Sequence, residues 1–269
     1  MKILDKIDKK VRYGIFAFIY IVYVYFASIV FWNSSLYLRV SFGTLLVVIS
    51  TFFIHYPNLS LRPNKSIASL ILPLSLLAST LLSFKYYPAL SIQFKVVALL
   101  IASGVFYLIS LVDNIFLIVK DRAESIPLYR AAIPWGQILI VTLSIPLFAG
   151  VFKIPINPIL QTSIIGLISF VMTLYQFWFL REETNLIPLG AGGSLIMSAF
   201  VGFIVYVVAV AMSFISTESF MRSLVAGSAL MLGIMFVYAY LKNSINKKIL
   251  FEYFIILIIF ILFSFLFKF

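Results

Sequence analysis

The chain has 269 residues, of which 63% are hydrophobic and 11% are charged, and its formal net charge is +11. Soluble domains carry about 25% charged residues and disordered chains have low hydrophobicity, so both classes are excluded and a multi-pass protein of the cell membrane is expected. The excess of Lys and Arg is typical of the cytoplasmic loops of such proteins, so the expected partner is the lipid bilayer and not nucleic acid.

Apolar segments long enough to cross a bilayer recur along the chain. A spanning helix needs about 20 predominantly apolar residues, and short polar stretches separate the segments that reach this length. In chain order the nine candidates are 13–32, 36–55, 66–84, 96–119, 131–151, 158–180, 187–211, 220–241 and 250–267. None of the connections is long enough for a soluble domain. We therefore predict a cytoplasmic N-terminal segment, residues 1–12, and a single all-α transmembrane domain, residues 13–269.

The distribution of basic residues predicts the orientation. With the N-terminus in the cytoplasm, 14 of the 20 Lys and Arg residues fall on the inner side and 6 on the outer side. Lys and Arg accumulate in cytoplasmic loops, so nine spans with the C-terminus outside are predicted. At the start of span seven, the small residues 190–193 (Gly-Ala-Gly-Gly) predict a close helix approach or a bend.

The residue types limit the chemistry that this chain can perform by itself. There is no Cys, which excludes disulfides, iron–sulfur clusters, thiolate zinc sites, covalently attached c-type haem and a Cys nucleophile. His55 is the only histidine, so the chain alone cannot supply two His ligands to a haem or a His-rich metal site. We expect no metal and no cofactor bound by this chain alone, and the balance favours a protein that is not an enzyme.

Polar side chains on the predicted cytoplasmic face form a candidate pocket. Asp113 is ionisable and lies about six residues, roughly 9 Å, inside the end of span four. Intramembrane ionisable residues are functional candidates, although a hydrogen bond between helices would also explain Asp113. The loops after spans two and six add Arg and Lys, which can bind an anionic head group. The candidate pocket comprises Asn58, Arg62, Lys65, Asp113, Asn114, Arg181, Glu182 and Asn185.

The layout and three segments resemble the UbiA family of membrane prenyltransferases. Residues 61–65 (Leu-Arg-Pro-Asn-Lys) are similar to the basic end of that family's first motif, residues 116–151 to its fourth and fifth helices, and residues 181–190 to the end of its second motif. The resemblance implies a UbiA-like bundle in which Mg²⁺ and a prenyl diphosphate are bound at the loops after spans two and six.

The chain departs from that family at the aspartate-rich motifs that hold Mg²⁺. The loop after span two has no acidic residue, and the loop after span six has only the adjacent Glu182 and Glu183. Because Mg²⁺ that bridges a diphosphate needs well-placed carboxylates, prenyl transfer has no obvious catalyst in this chain.

Three classes of function remain open. The first is a non-catalytic polytopic subunit, a hydrophobic anchor near quinone in a cytochrome-type complex of the respiratory chain, where a partner subunit that can bear haem carries electron transport. In size and composition the chain is similar to the cofactor-free hydrophobic subunit of archaeal b-type cytochrome complexes. The second is a divergent UbiA-type prenyltransferase or isoprenoid-lipid-binding homologue, which alone would use Mg²⁺. The third is a transporter, which would need an inverted repeat and a midplane site.

Overall fold

The computed structural model describes residues 8–30, 35–55, 63–87, 90–122, 127–180, 186–245 and 247–266. These residues form nine α-helices and no β-strand, with a π-helical segment, Phe26–Val30, directly after the first helix. The helices are α1 (Lys9–Tyr25), α2 (Leu36–His55), α3 (Pro63–Tyr86), α4 (Ile92–Arg122), α5 (Pro127–Phe152), α6 (Pro158–Leu180), α7 (Ala191–Ser213), α8 (Ser219–Leu241) and α9 (Lys247–Leu266).

Each predicted span coincides with one helix. The bounds of α2 and α6 are those predicted, and the other helices differ by a few residues at one or both ends. The first helix begins at Lys9, before the predicted span, because the Asp8 side chain accepts a hydrogen bond from the backbone N–H of Lys10 at 3.3 Å and so caps the helix. Within the described residues, α1 to α8 are long and apolar enough to cross a bilayer. The chain is therefore a multi-pass membrane protein, and the ninth span and the orientation stay predictions.

The first compact unit, Met1–Arg122, contains α1 to α4. Each helix packs against the next along the chain, and α1 also packs against α4, so the four helices close into a ring. Consecutive helices joined by short connections are the usual neighbours in such bundles. Between α1 and α3, the hydroxyl groups of Tyr20 and Thr80 share a hydrogen bond of 2.9 Å.

The second compact unit, Ala123–Phe269, contains α5 to α9. Here too each helix from α5 to α8 packs against the next, α5 packs against α8, and α9 lies against α8. The Tyr129 hydroxyl of α5 donates a 2.6 Å hydrogen bond to the carbonyl of Phe179 near the end of α6. The backbone N–H of Ile187, before α7, donates to the Leu241 carbonyl at the end of α8 at 2.9 Å. These bonds fix the helix ends that frame the second unit.

Helices α6 and α7 approach each other closely at Gly166 and Gly202. A Cβ atom added at Gly202 would lie 3.0 Å from the carbonyl oxygen of Gly166 and 3.0 Å from the Cβ of Phe170. At residues 190–193 the sequence predicts a close helix approach or a bend. A Cβ at Gly190 or Gly192 would meet no described atom within 4 Å, and one at Gly193 would lie 3.2 Å from a side-chain atom of Leu189. No other helix comes close to these glycines among the described residues, and Gly190 is the extended residue before α7. Small residues let helix backbones meet in membranes, and here they do so in the middle of both helices.

Candidate functional site

Four buried polar side chains, one from each helix of the first unit, lie at the end where α1 and α3 begin and α2 and α4 end. They are Arg12 of α1, His55 of α2, Ser69 of α3 and Asp113 of α4, and none is more than 4% exposed. We call these four residues the polar layer. Burying a charge is costly unless an opposite charge or hydrogen bonds compensate it. The positions of Arg12 and Asp113 relative to each other therefore matter for the stability of this unit.

Contacts between α1 and α4 fix the antiparallel register of these helices. The Ser103 hydroxyl donates to the Ala17 carbonyl at 3.2 Å, and the rings of Tyr13 and Tyr107 meet edge to face at 6.0 Å. Ala17 is thus level with Ser103, and Tyr13, four residues earlier in α1, is level with Tyr107, four residues later in α4. The first turn of α1, residues 9–12, is consequently level with residues 108–111 of α4.

The register places Arg12 and Asp113 at nearby levels of two neighbouring helices. Asp113 lies five residues further along α4 than the residue level with Arg12, which is about 7–8 Å along the helix axis. Side chains tend to lean towards the N-terminus of their own helix. Because the two helices run in opposite directions, this tendency would shorten the distance between the two charged groups. Neither residue is without an interaction partner.

His55 completes the polar layer at the end of α2. The ring of Phe53 stacks on that of Phe16 with centroids 6.3 Å apart, which places the end of α2 beside the start of α1. Lys9 lies within electrostatic range of His55. The Nδ1 atom of His55 has no hydrogen-bond partner within the described ranges, and the side chain is only 2% exposed. The chain's only histidine is thus enclosed by helices.

An apolar cleft of about 190 Å³ lies between α5 and α8 in the second unit. Its walls include Gln137, Ile138, Val141 and Thr142 of α5 and Met231 and Met235 of α8. The α5 residues lie one turn apart in two pairs, which places them on one face of the helix. Gln137 is 4% exposed, and its Nε2 has no hydrogen-bond partner among the residues that the structure describes. Gln137 therefore contributes one buried polar side chain to a mostly apolar wall.

The structure describes the side chains of two residues of the predicted pocket. Asp113 is fully buried and Asn114 is half-buried, and Lys65 belongs to the first turn of α3. The other predicted pocket residues lie outside the described residues: Asn58, Arg62, Arg181, Glu182 and Asn185. The apolar stretch of α4 ends at Val119, six residues beyond Asp113 as predicted, and the helix itself continues to Arg122. This places Asp113 in the polar layer, inside the first unit.

Four residues of these sites are missing from the predicted pocket: Arg12, His55, Ser69 and Gln137. From the sequence, Arg12 is interpreted as a charge in the segment before the first span. In the structure it is the first of the buried residues that recur along one side of α1, directly before Tyr13. Gln137 interrupts an apolar run in α5. An isolated polar residue within a spanning helix is the signal that would have found Gln137. Arg12 could have been found only by its helical spacing from the buried residues of α1.

No protein-family model, curated protein or solved structure matches the chain. In the part of the chain that the structure describes, no three His, Asp or Glu side chains are grouped to hold a metal ion. The polar layer and the α5–α8 cleft are therefore the features from which a function can be argued.

Proposed function

We propose that the chain is a non-catalytic polytopic subunit, a hydrophobic anchor that lies near quinone in a cytochrome-type complex of the respiratory chain and carries no cofactor of its own. The observation that carries this proposal is the burial of the ionisable groups of the first unit. Arg12, His55 and Asp113 are at most 4% exposed. A catalytic acid or base must reach a proton on its substrate, whereas side chains enclosed by four helices stabilise the bundle.

The position near quinone is supported by the α5–α8 cleft. Small-molecule sites are concave and mostly apolar, with a few polar groups that orient the ligand. The cleft has this composition, with Gln137 as its buried polar group. A subunit of this kind contributes part of a lipid-facing binding surface, while a partner subunit carries the haem.

Purification from native membranes in a mild detergent tests the subunit proposal. We expect a haem-bearing membrane protein to co-elute through gel filtration, with a b-type absorption spectrum and with identification of the partner by mass spectrometry. An unrelated multi-pass protein with the same tag, purified from the same membranes, controls for carry-over of abundant complexes. A single colourless chain at the elution volume of a monomer would contradict the proposal.

A second candidate is an isoprenoid-lipid-binding homologue or divergent prenyltransferase of the UbiA type. It is favoured by Asn114, whose buried Oδ1 has no hydrogen-bond partner in the described ranges, next to Asp113. Lys65 lies at the same end of the first unit, in the first turn of α3. Amide and carboxylate oxygens are ligands for Mg²⁺, and a nearby cation suits a diphosphate.

Binding of a prenyl diphosphate distinguishes the second candidate from the first. If it is right, the purified chain binds geranylgeranyl diphosphate only when Mg²⁺ is present, and Arg62→Ala and Arg181→Ala each abolish binding. Lys10→Ala removes an exposed cation of α1 and serves as the control, with binding unchanged. Binding retained by both Arg62→Ala and Arg181→Ala would refute this pocket.

A further inference from the structure

We infer that the α5–α8 cleft binds an uncharged apolar lipid through a hydrogen bond from the side-chain amide of Gln137 to an oxygen of that lipid, with a quinone carbonyl as the expected acceptor. This inference rests on the proposed function and assigns it a site and a ligand chemistry. It concerns only the second unit.

The amide of Gln137 defines what the ligand must provide. Its Nε2 is buried and has no hydrogen-bond partner in the described part of the chain, and the side chain lines the cleft. A buried donor that stays unsatisfied is costly, so an acceptor oxygen at this point is favourable. A carbonyl oxygen accepts such a bond without bringing a charge into the membrane.

The remaining walls suit a ring. Apart from Gln137 and Thr142, the residues that line the cleft have apolar side chains. Met231 and Met235 face Val141 across the cleft, and Met side chains adapt to irregular shapes and make favourable contacts with rings. An apolar cavity of about 150 Å³ accommodates benzene, so the volume of about 190 Å³ suits one substituted six-membered ring.

The depth of Gln137 argues against an ordinary phospholipid head group. Gln137 is the eleventh residue of α5, about 15 Å from the helix start at ~1.5 Å per residue. The hydrocarbon core of a bilayer is about 30 Å thick, so the amide lies deep within it, where a charged head group is strongly disfavoured. Ile138 is 51% exposed, so the cleft reaches the lipid-facing surface and a long isoprenoid tail can remain in the bilayer.

The test measures binding of a short-chain quinone to the purified full-length protein, or to its complex if a partner co-purifies, in lipid nanodiscs. Gln137→Met keeps the size of the side chain and removes the donor. We expect about tenfold weaker binding, since one hydrogen bond contributes about 1.4 kcal/mol, or a factor of ten. The infrared carbonyl band of ¹³C-labelled quinone should shift to lower wavenumber on the wild-type protein and not on Gln137→Met.

Three further samples make the outcome decisive. Gln161→Met is the matched control, because this glutamine donates to the Ile154 carbonyl at 2.6 Å and lies outside the cleft, so quinone affinity should be unchanged. Val141→Phe fills the cleft and should abolish binding even if Gln137→Met folds poorly. A carbonyl-free analogue with the same ring and tail should bind about tenfold more weakly than the quinone.

The same measurements distinguish a quinone from an isoprenoid alcohol as the ligand. They also distinguish failure of this inference from failure of the subunit proposal. A prenol that binds more tightly than the quinone, with the same dependence on Gln137, would support the site and identify an isoprenoid alcohol as its ligand. Equal binding of quinone to wild type and Gln137→Met, or no binding of either lipid, would overturn the inference. A haem-bearing partner that co-purifies without quinone binding would refute the inference alone, whereas quinone binding by a solitary chain would refute the subunit proposal alone.

Discussion

Asp113→Leu is expected to lower the free energy of unfolding by about 3–5 kcal/mol, because it removes a buried carboxylate and leaves the group that interacts with it uncompensated. Asp113 is fully buried and Arg12 is 4% exposed, so water cannot replace the lost carboxylate. The measurement is denaturant-induced unfolding of the purified chain in a mild detergent. The size of the effect separates a compensated buried pair from an exposed one, for which about 0–1 kcal/mol is usual.

A double variant tests whether these two charges compensate each other. Replacing both, as Arg12→Met with Asp113→Leu, removes the pair and should recover most of the stability, because apolar residues of similar volume often replace a buried ion pair without loss. Lys10→Ala removes an exposed cation one turn or less from Arg12 and should change the stability by less than about 0.5 kcal/mol. Additive losses in the double variant would mean that each charge has its main partner elsewhere.

The sequence predicts the helices of this fold well because their length is set by the bilayer. The bounds of α2 and α6 follow directly from apolar runs between polar stretches, since a spanning segment must satisfy its backbone within itself. The predicted first span begins four residues after α1 does, because the charged residues Lys9 and Lys10 lie inside a helix that Asp8 caps. Composition reveals the apolar core of such a helix but not its cap.

The candidate sites are harder to predict because they depend on contacts between distant segments. Asp113 was singled out by its charge alone, but its neighbours in the polar layer depend on the register of α4 against α1, which the contact of Ser103 with Ala17 fixes. Local periodicity carries no information about that register. The Gln137 cleft likewise forms only when α5 meets α8, two helices that are far apart in the chain.

The approach of α6 and α7 illustrates the same limit. Gly166 and Gly202 belong to different helices and form no short motif, so the clustered glycines at 190–193 were the more visible signal. The structure instead brings together two isolated glycines whose backbones touch. Their role becomes visible only in the structure, where a side chain at either position would collide with the neighbouring helix.

Gly202→Ala is expected to destabilise the chain by about 1–3 kcal/mol, the usual cost of overfilling a packed interior, and Gly202→Leu by more. The added Cβ would lie 3.0 Å from the Gly166 carbonyl oxygen and 3.2 Å from the Cα of Phe170. Both are backbone atoms, which cannot move aside as a flexible side-chain end can, so α6 and α7 must separate. Thermal unfolding in mild detergent, followed by the loss of helical circular dichroism, measures the effect.

Gly192→Ala on the same helix is the matched control, because a Cβ there meets no described atom within 4 Å. Gly192 lies in the first turn of α7, where alanine is tolerated at least as well as glycine, so this variant should be about as stable as the wild type. Gly166→Ala combined with Gly202→Ala should lose less than the sum of the single variants, because both relieve the same contact by the same separation. Equal effects of Gly192→Ala and Gly202→Ala would show that α6 and α7 do not pack through these glycines.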